Sequence, residues 1–461
     1  MSRVFSYALA LCVWAAPASA QPLTIERGGK REARIASAAA QQASAPLGEL
    51  IANPEALATW IATHSYVSRA AAARVEQAQA TYGASRLRPN PQLSAVFGGI
   101  PAGTTNPPGL GWGDTVNYGA TMSQLIEIGK RQPRISAAQL RFTGEQYALA
   151  GSLLEQMADA REAIANVLHG RSRTAALREE LDTSRQIVDL QRVRFDRGDL
   201  SGIDFDRLQL DAQMLEADLA QATAELQGSL AACARVLFAG CDGDQADLDV
   251  LTATIQPADS ALPPDLQTAI DQRPDLRSLD AQRQATGQDM ILALRRRVPD
   301  PIVSLAYTRD YFQVSGDNPR TLAFAVTIPL PTFDRGKQDA ARAAATGREL
   351  AANQAAIAAR AQSDVLNLRA RQNTIRSLLG SLNVDALSRA NSILTSTSDA
   401  VNQGELSTTD LLLARRARTD VTRRMMDLQL QLFLVQNELR QVLGLDAPIV
   451  RRVQGITWPT P

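Results

Sequence analysis

The chain has 461 residues, a formal net charge of zero and only 5% aromatic residues. It is dense in alanine, leucine, glutamine and arginine, a composition that favours long helices over compact cores. Because it has neither a basic excess nor a basic run, the sequence excludes the electrostatic footprint of a nucleic-acid-binding protein.

The N-terminus has the pattern of a secretory signal peptide. Arg3 is followed by an apolar stretch over 4–16 and then by the small residues of 18–20. This order predicts a signal peptide at 1–20 and a mature chain that begins at Gln21. Residues 21–46 lack periodicity and are predicted to form a flexible N-terminal segment.

Apolar runs and cysteines further limit the class of the exported chain. Beyond the signal peptide no run of about twenty apolar residues occurs, so the sequence predicts no transmembrane helix. Two cysteines remain, Cys233 and Cys241. An oxidising compartment would allow them to form a disulfide. The alternative is that they are two small buried residues near the end of a helix.

Internal repetition organises the chain. Short landmarks of the first half recur in the second half in the same order, displaced by 206 to 210 residues. This predicts a tandem duplication, with repeats at 47–244 and 263–446, a linker at 245–262 and an extended C-terminal tail at 447–461. The landmarks are R-P-N-P from Arg88 and V-P-D-P from Val298, G-K from Gly129 and from Gly336, and G-D-L-S from Gly198 and G-E-L-S from Gly404.

Each repeat contains a very long helical segment. Residues 130–197 have a single proline, Pro133, near the start where a helix tolerates it, and residues 337–403 have none. Each segment would span about 100 Å as one helix. Apolar residues then recur in steps of three and four, which is typical of coiled coils. They are Leu208, Ala212, Leu215, Leu219, Ala222 and Leu226, and in the second repeat Ala414, Val421, Met425, Leu428, Leu432 and Val435.

The repeated phrase G-[DE]-L-S-x-x-D predicts the tip of a helical hairpin. Its glycine, Gly198 or Gly404, suits the left-handed conformation that ends a helix. Its serine and aspartate have the spacing of a capping box, with aspartate in place of the usual glutamate. The predicted hairpins cover about 130–240 and 337–444. The capping pairs are Ser201 with Asp204 and Ser407 with Asp410.

Four segments alternate between large apolar and small or polar residues. They are predicted strands at about 92–98, 115–126, 302–312 and 321–330. Segments of this length with one apolar, aromatic-containing face are typical of outer-membrane strands, although a soluble antiparallel sheet with one wet face is the alternative. Four strands leave open edges, which lipid does not tolerate, so a membrane location requires several chains to share one barrel.

Together these features resemble the TolC family of outer-membrane efflux proteins over nearly all of the mature chain. The duplication, the two Pro-x-Pro sequences, the strand exits MSQLIEIGKRQPR and VTIPLPTFDRGKQDAAR, and the tips GDLSGIDFDRLQLDA and GELSTTDLLLARRA carry the resemblance. It implies a mainly α protein with a membrane β-barrel. Three tandem-duplicated chains, each with four β-strands and long coiled-coil helices, would form a trimeric twelve-stranded β-barrel in outer-membrane lipid and an α-helical tunnel through the periplasm.

The family also implies a function and partners. The chain would be the passive exit duct of a tripartite efflux system, without a cofactor, receiving substrates from a periplasmic adaptor (membrane-fusion) protein and an inner-membrane RND pump. The phrases RPNPQLSAVFGG and IPLPTFDRGK look most like the heavy-metal branch, which works with cobalt, zinc, cadmium or copper pumps. Two alternatives stay open: the same duct for drugs or type I secreted polypeptides, and a periplasmic coiled-coil adaptor or spacer.

The resemblance assigns roles at the hairpin tips. Asp410 corresponds to an aspartate that lines the closed periplasmic entrance, and Asp204 is its counterpart in the first repeat. A ring of three Asp410 carboxylates would attract cations, and mutual repulsion would raise their pKa. The implied adaptor-docking residues are Gly198, Leu200, Ser201, Gly404, Leu406 and Ser407.

The chain departs from the best-known members at this entrance. Val401 and Leu406 stand where those members place a tyrosine and an arginine that lock the entrance, and Leu413 stands at a second acidic position. The resemblance therefore supplies no closing mechanism for this chain.

No catalytic or metal motif is evident. A nucleotide-binding glycine loop, Gly-x-Ser-x-Gly and His-Glu-x-x-His are all missing from the sequence, which argues against an enzyme. His64 and His169 are the only histidines and lie on separate predicted helices without a cysteine partner, so no stable metal site is predicted.

Overall fold

The structure is a computed structural model that describes residues 44–100, 102–105, 108–254, 265–311, 318–382 and 386–454. The predicted signal peptide and residues 21–43 of the predicted flexible segment lie outside these ranges. The described chain is mainly helical and contains one four-stranded antiparallel sheet.

The elements alternate between short helices, strands and very long helices. In chain order they are α1 (Leu47–Ala52), α2 (Pro54–His64), α3 (Tyr66–Ser85), β1 (Gln92–Gly98), α4 (Trp112–Thr115), β2 (Asn117–Leu125), α5 (Arg131–Asp196), α6 (Gly202–Leu237), α7 (Leu248–Thr254), α8 (Leu266–Asp271), α9 (Pro274–Leu294), a 3-10 turn (Arg295–Arg297), β3 (Ile302–Asp310), β4 (Arg320–Thr327), α10 (Lys337–Ser381), α11 (Leu387–Asn402), α12 (Thr408–Val442) and α13 (Ala447–Gln454).

The first helical hairpin is formed by α5 and α6. Helix α5 has 66 residues, which gives a length of about 100 Å. Pro133 lies in its first turn, where no intrahelical donor is lost, and no later residue interrupts the hydrogen-bond ladder. Helix α6 returns along α5, while α3 and α9 also pack against α5. Small buried side chains on α5, including those of Ala160 and Ala165, leave room for these neighbours.

The second hairpin is built from α10, α11 and α12. Residues 337–403 were expected as one helix, and the structure has two helices on either side of 383–385, which lie outside the described residues. Helix α12 packs against both α10 and α11. The predicted coiled-coil positions of both hairpins are confirmed as contact positions, because each of those apolar side chains is buried or half-buried.

The sheet has the order β1-β2-β3-β4, and every neighbouring pair is antiparallel. Its strands lie within three residues of the bounds expected from the alternation. The register aligns Leu93, Met122, Leu305 and Phe324 in one row across the four strands. All four side chains are exposed. The sheet therefore presents an apolar face that nothing in the described chain covers.

The two repeats meet at the junction between strands and long helices. Asp300, the third residue of V-P-D-P in the second repeat, accepts a hydrogen bond from the backbone N–H of Ile128 at 2.9 Å. Its other carboxylate oxygen pairs with Lys130 Nζ at 2.7 Å. Lys130 belongs to the G-K landmark of the first repeat. One landmark thus fixes the start of α5 against the entry to β3.

The largest core lies around the middle of α5. Helices α1, α2, α7 and α13 pack there, with Leu47, Leu57, Met157, Ile164 and Leu251 among the fully buried side chains. The C-terminus was predicted to be extended from residue 447, and this is wrong for 447–454, which form α13. The backbone carbonyl oxygen of Asp446 accepts hydrogen bonds from the N–H groups of Ile449 and Val450 at the start of α13. Residues 455–461 lie outside the described chain.

Two other segments expected to be irregular also contribute to this core. The predicted linker 245–262 contains α7, whose Leu251 is fully buried, while 255–262 lies outside the described residues. The predicted flexible segment 21–46 is ordered at its end, where Ala45 is buried and its N–H donates to Gly240 O at 2.8 Å. Composition alone does not predict these contacts, because each depends on one or two apolar residues that pack against residues distant in the sequence.

Cys233 and Cys241 are joined by a disulfide. Both residues are buried in the same core, at the end of α6. The bond encloses the turn in which Phe238 has a φ of 55°, a left-handed conformation that is uncommon for an aromatic residue.

Among the described residues, every helix is too short or too polar to cross a lipid bilayer.

Candidate functional site

The first hairpin tip joins α5 to α6. Gly198 has a φ of 83° and ends α5, and its N–H donates to Phe195 O at 2.9 Å. The N–H of Asp199 donates to Arg194 O at 2.9 Å, so the last carbonyls of α5 are satisfied by the turn itself. At the start of α6, Ser201 Oγ accepts from the N–H of Asp204 at 3.2 Å. Ser201 therefore caps α6, but of the two tips as described, the complete capping box predicted for both is found at the second.

The second tip joins α11 to α12 and repeats this arrangement. Gly404 has a φ of 78°. Ser407 Oγ accepts from the N–H of Asp410 at 3.2 Å, and the Asp410 carboxylate accepts from the N–H and Oγ of Ser407 at 3.1 and 2.6 Å. This is a complete capping box, with aspartate in the position usually taken by glutamate.

The capping box sets the charge of Asp410. The side-chain and backbone hydrogen bonds from Ser407 hold the pKa of the Asp410 carboxyl below its usual range. Within one chain this direction is opposite to the rise expected from a ring of carboxylates. The repulsion that would raise the pKa acts between chains, whereas the Ser407 hydrogen bonds act within each chain.

The tip residues differ in their exposure. Leu406 is 46% exposed, whereas Leu200 is half-buried. The sequence interpretation missed Ile203, which is 68% exposed at the start of α6. Its signal was an apolar residue in the first turn of a helix, immediately after a capping serine. The tips therefore present apolar side chains to the outside as well as the capped aspartates.

Val401 and Leu413 occupy different environments near the second tip. Val401 is 5% exposed, so its side chain belongs to the interior of the chain, whereas Leu413 is exposed. Neither side chain can form an ion pair. The polar contacts that hold the two hairpins together therefore involve other residues than Val401 and Leu413.

Two consecutive arginines of α12 make such contacts with the first hairpin. Arg416 donates to Asp211 Oδ1 on α6 through Nε at 2.9 Å and Nη2 at 2.5 Å. Arg415 pairs with Glu180 on α5 at 3.5 Å, and both of these side chains are largely buried. The sequence interpretation did not identify either pair. The sequence features that could have indicated these pairs are the Arg-Arg doublet in α12 and an aspartate near the coiled-coil position Leu208.

We expect Arg416→Gln to loosen the contact between the hairpins. The Asp211 carboxylate is buried, and loss of its charged partner should cost about 1–3 kcal/mol in the free energy of unfolding. Chemical denaturation followed by circular dichroism measures this loss. Arg423→Gln is the matched control, because its 3.9 Å pair with Asp420 is exposed and should contribute little. Equal stability of the two variants would contradict the assignment.

The histidines make structural contacts. The His64 ring stacks on that of Trp60, with a centroid distance of 4.0 Å. His169 Nε2 lies 2.9 Å from Asp427 Oδ1. In the part of the chain that the structure describes, no three histidine, cysteine, aspartate or glutamate side chains cluster in a way that could hold a metal ion.

Comparison with known proteins gives a family match over part of the chain. Residues 69–237 match the family model described as outer membrane efflux protein. The cobalt-zinc-cadmium resistance protein CzcC of Cupriavidus metallidurans is 27% identical over 290 residues, which is 61% of this chain and 64% of CzcC. The matched region thus spans less than two thirds of that relative.

Solved structures share the fold over most of the chain. A structure of CusC has a TM-score of 0.70 at 16% identity, covering 87% of this chain and 92% of CusC. VceC of Vibrio cholerae gives 0.67 at 19% identity, covering 86% and 96%. The MtrE outer membrane channel of Neisseria gonorrhoeae gives 0.69 at 17% identity, covering 87% and 89%. The chain therefore shares its fold with these outer membrane channels, and its residues 69–237 match the outer membrane efflux protein family.

Proposed function

We propose that three copies of the chain form the outer-membrane exit duct of a tripartite efflux system. In this proposal the duct is passive: it conducts substrates outward that an inner-membrane RND-type pump and a periplasmic adaptor deliver. The chain itself carries out no catalysis and needs no cofactor. It reaches the outer membrane after cleavage of its signal peptide.

The observation that carries this proposal is the uncovered sheet. Its outer strands, β1 and β4, each have one edge without a partner among the described residues. Unpaired backbone groups are not tolerated in lipid, so the edges must be paired with other chains. Pairing β4 of one chain with β1 of the next continues the antiparallel order. Three chains with four strands each would close a twelve-stranded barrel.

The two faces of the sheet fit this location. Leu93, Phe97, Leu322 and Phe324 belong to the apolar face and are exposed in the single chain. The opposite face carries small and polar residues such as Ser94, Thr121, Ser304 and Thr321. A membrane barrel needs an apolar outer face and a polar lumen. A sheet with one face on a soluble core would instead bury its large apolar residues.

The helices extend the lumen away from the membrane. Strand β2 ends at Leu125 and α5 begins at Arg131, so only five residues separate barrel from tunnel. Because α5 is about 100 Å long, the hairpin tips lie far from the sheet. The proposed ring of Asp410 carboxylates would stand at that periplasmic end. The exposed apolar side chains of the tips would meet the adaptor there.

Heavy-metal cations are the proposed cargo. The relative CzcC is a cobalt-zinc-cadmium resistance protein, and negative charge at the entrance suits cations. A duct needs no high-affinity metal site, since the pump would select the substrate. Drugs or secreted polypeptides are the alternative cargo.

The test is single-channel conductance of the detergent-purified mature protein in a planar bilayer, with its oligomeric mass measured in the same preparation. We expect a trimer with small, cation-preferring currents that divalent ions reduce. A monomeric, water-soluble and electrically silent protein would refute the duct and favour a periplasmic coiled-coil adaptor or spacer. A conducting trimer with no response to divalent ions would keep the duct and favour another cargo.

A further inference from the structure

One row of the sheet joins two arginines to two aromatic residues. The register places Phe97 opposite Tyr118, Tyr118 opposite Arg309, and Arg309 opposite Arg320. This row lies at the end of the sheet where strands connect to each other, since the opposite end leads into the helices. Side chains of all four positions belong to the apolar face, because they are an even number of residues from Leu93, Met122, Leu305 and Phe324.

Aromatic rings surround the Arg309 guanidinium. Its Nη1 lies 3.2 Å from the hydroxyl of Tyr118, and its central carbon lies 4.6 Å from the ring centroid of Tyr311. Phe97 stacks on Tyr118, with 6.2 Å between the centroids, and meets Trp112 edge-on at 6.4 Å. Tyrosine and tryptophan are enriched where a membrane meets water. These rings mark one boundary of the apolar face.

The two arginines stand directly opposite each other on neighbouring strands. Cβ atoms at such positions are about 5 Å apart, and like charges there destabilise a sheet. Within the described ranges, no carboxylate forms an ion pair with Arg309 or Arg320. Asp310 is next in sequence, but strand alternation places it on the opposite face. An anion bound from outside the chain would offset this repulsion.

We propose that Arg309 and Arg320 bind the phosphate of a membrane lipid in the outer leaflet. This inference rests on the proposed outer-membrane location of the sheet. A guanidinium offers a planar fork of donors that matches phosphate oxygens, and in the proposed site two such forks from adjacent strands share one phosphate. The acyl chains of the same lipid would run along β3 and β4 over the exposed side chains of Leu305, Leu322 and Phe324. Each trimer has three such sites, one on each chain.

The lipid, rather than free phosphate, is favoured by the position of the pair. Arg320 is exposed and Arg309 is half-buried among rings, at the junction between an apolar face and the loops beyond it. A phosphate held there by a diacyl lipid gains both the charge contacts and the apolar contacts. Inorganic phosphate gains only the former and must compete with water at an open surface.

The experiment titrates the purified mature trimer, in neutral detergent micelles, with phosphatidic acid and counts bound lipids by native mass spectrometry. Diacylglycerol with the same acyl chains is the phosphate-free match, and inorganic phosphate is the chain-free match. We expect three phosphatidic acid molecules per trimer. In Arg309→Gln/Arg320→Gln, their apparent affinity should fall at least about tenfold, because charge-assisted hydrogen bonds are lost. Arg348→Gln, on α10 and outside the sheet, should bind as the natural protein does.

The double variant should remain folded without lipid, because the substitution removes repulsion between Arg309 and Arg320. Its melting temperature in lipid-free micelles should equal or exceed that of the natural protein. Unchanged affinity of the double variant for phosphatidic acid, or equal binding of diacylglycerol, would overturn the proposal. If inorganic phosphate raised the melting temperature of the natural protein as much as phosphatidic acid does, the ligand would be a free anion rather than a lipid. A conducting trimer with any of these results refutes only this inference, whereas a silent monomer refutes the proposed duct.

Discussion

Asp446→Ala is expected to destabilise the folded chain by about 3–5 kcal/mol, because it leaves the buried Arg161 and the half-buried Arg440 without their counter-charge. Asp446 accepts hydrogen bonds from Arg161 Nη1 at 2.5 Å and from Arg440 Nη2 at 2.6 Å. The side chains of Asp446 and Arg161 are only 5% and 7% exposed. The ion pair also joins α5 to the segment between α12 and α13. Its loss should therefore weaken the main core rather than one helix end.

The same contacts determine how this stabilisation depends on pH. Burial by itself raises the pKa of Asp446, but the charges and hydrogen bonds of Arg161 and Arg440 outweigh burial and hold that pKa below its usual range. The unfolded chain therefore takes up the proton more readily than the folded chain. The stabilisation is fully present above a pH of about 4 and is lost as the pH falls through the lower, folded-state pKa.

Chemical denaturation of the natural protein and of Asp446→Ala, followed by circular dichroism, measures the effect. Asp420→Ala is the matched control, since Asp420 is exposed and its pair with Arg423 is long. The control should change stability by less than about 0.5 kcal/mol. A loss below 1 kcal/mol in Asp446→Ala would mean that the buried arginines relax to water and that the pair is not needed.

Asp410→Ala and Asp410→Asn are both expected to weaken the cation preference of the reconstituted channel, by up to about tenfold, because each removes three charges from the proposed ring. The two variants separate the roles of the carboxylate. Asparagine can still accept hydrogen bonds from Ser407, so it keeps the capping box. Alanine removes the cap as well, and its trimer should melt at a lower temperature while still assembling.

Reversal potentials in a salt gradient measure the preference, and Asp204→Asn measures in the same way what its counterpart at the first tip contributes. Because Ser407 holds the Asp410 pKa low, the preference should persist at pH 5. Its disappearance at that pH would mean that repulsion between the three chains outweighs the hydrogen bonds within each. Unchanged selectivity in both variants would leave Asp410 as a helix cap only.

Structural features that depend on a few neighbouring residues were predictable from the sequence. The tips needed only a glycine and a Ser-x-x-Asp spacing, and the strands needed only alternation, so both were found from a few neighbouring residues. The Arg416–Asp211 pair connects residues 205 positions apart, and the local sequence around either residue does not indicate its partner. The same holds for Asp300 and Lys130, which each stood out as part of a landmark without indicating that the landmarks touch.

The remaining errors came from segments whose structure depends on tertiary contacts. Helix α13 is short and follows a glycine-containing turn, so its propensity is weak, and burial of Val450 in the core stabilises it. Helix α7 forms because Leu251 is buried in the same core. The choice for Cys233 and Cys241 depended on a turn that brings the two side chains together, which spacing alone does not determine.

The order of the strands has a consequence for cells that produce two versions of the protein. In the proposed trimer the free edges of one chain belong to different strands, β1 and β4, so copies in the same membrane orientation join head to tail. A chain with one defective edge still accepts a neighbour at the other and enters mixed rings that cannot close. With equal production and random mixing, only about one ring in eight would contain intact chains alone. Lesions at these edges should therefore act as dominant alleles, whereas lesions that prevent folding of the chain should be recessive.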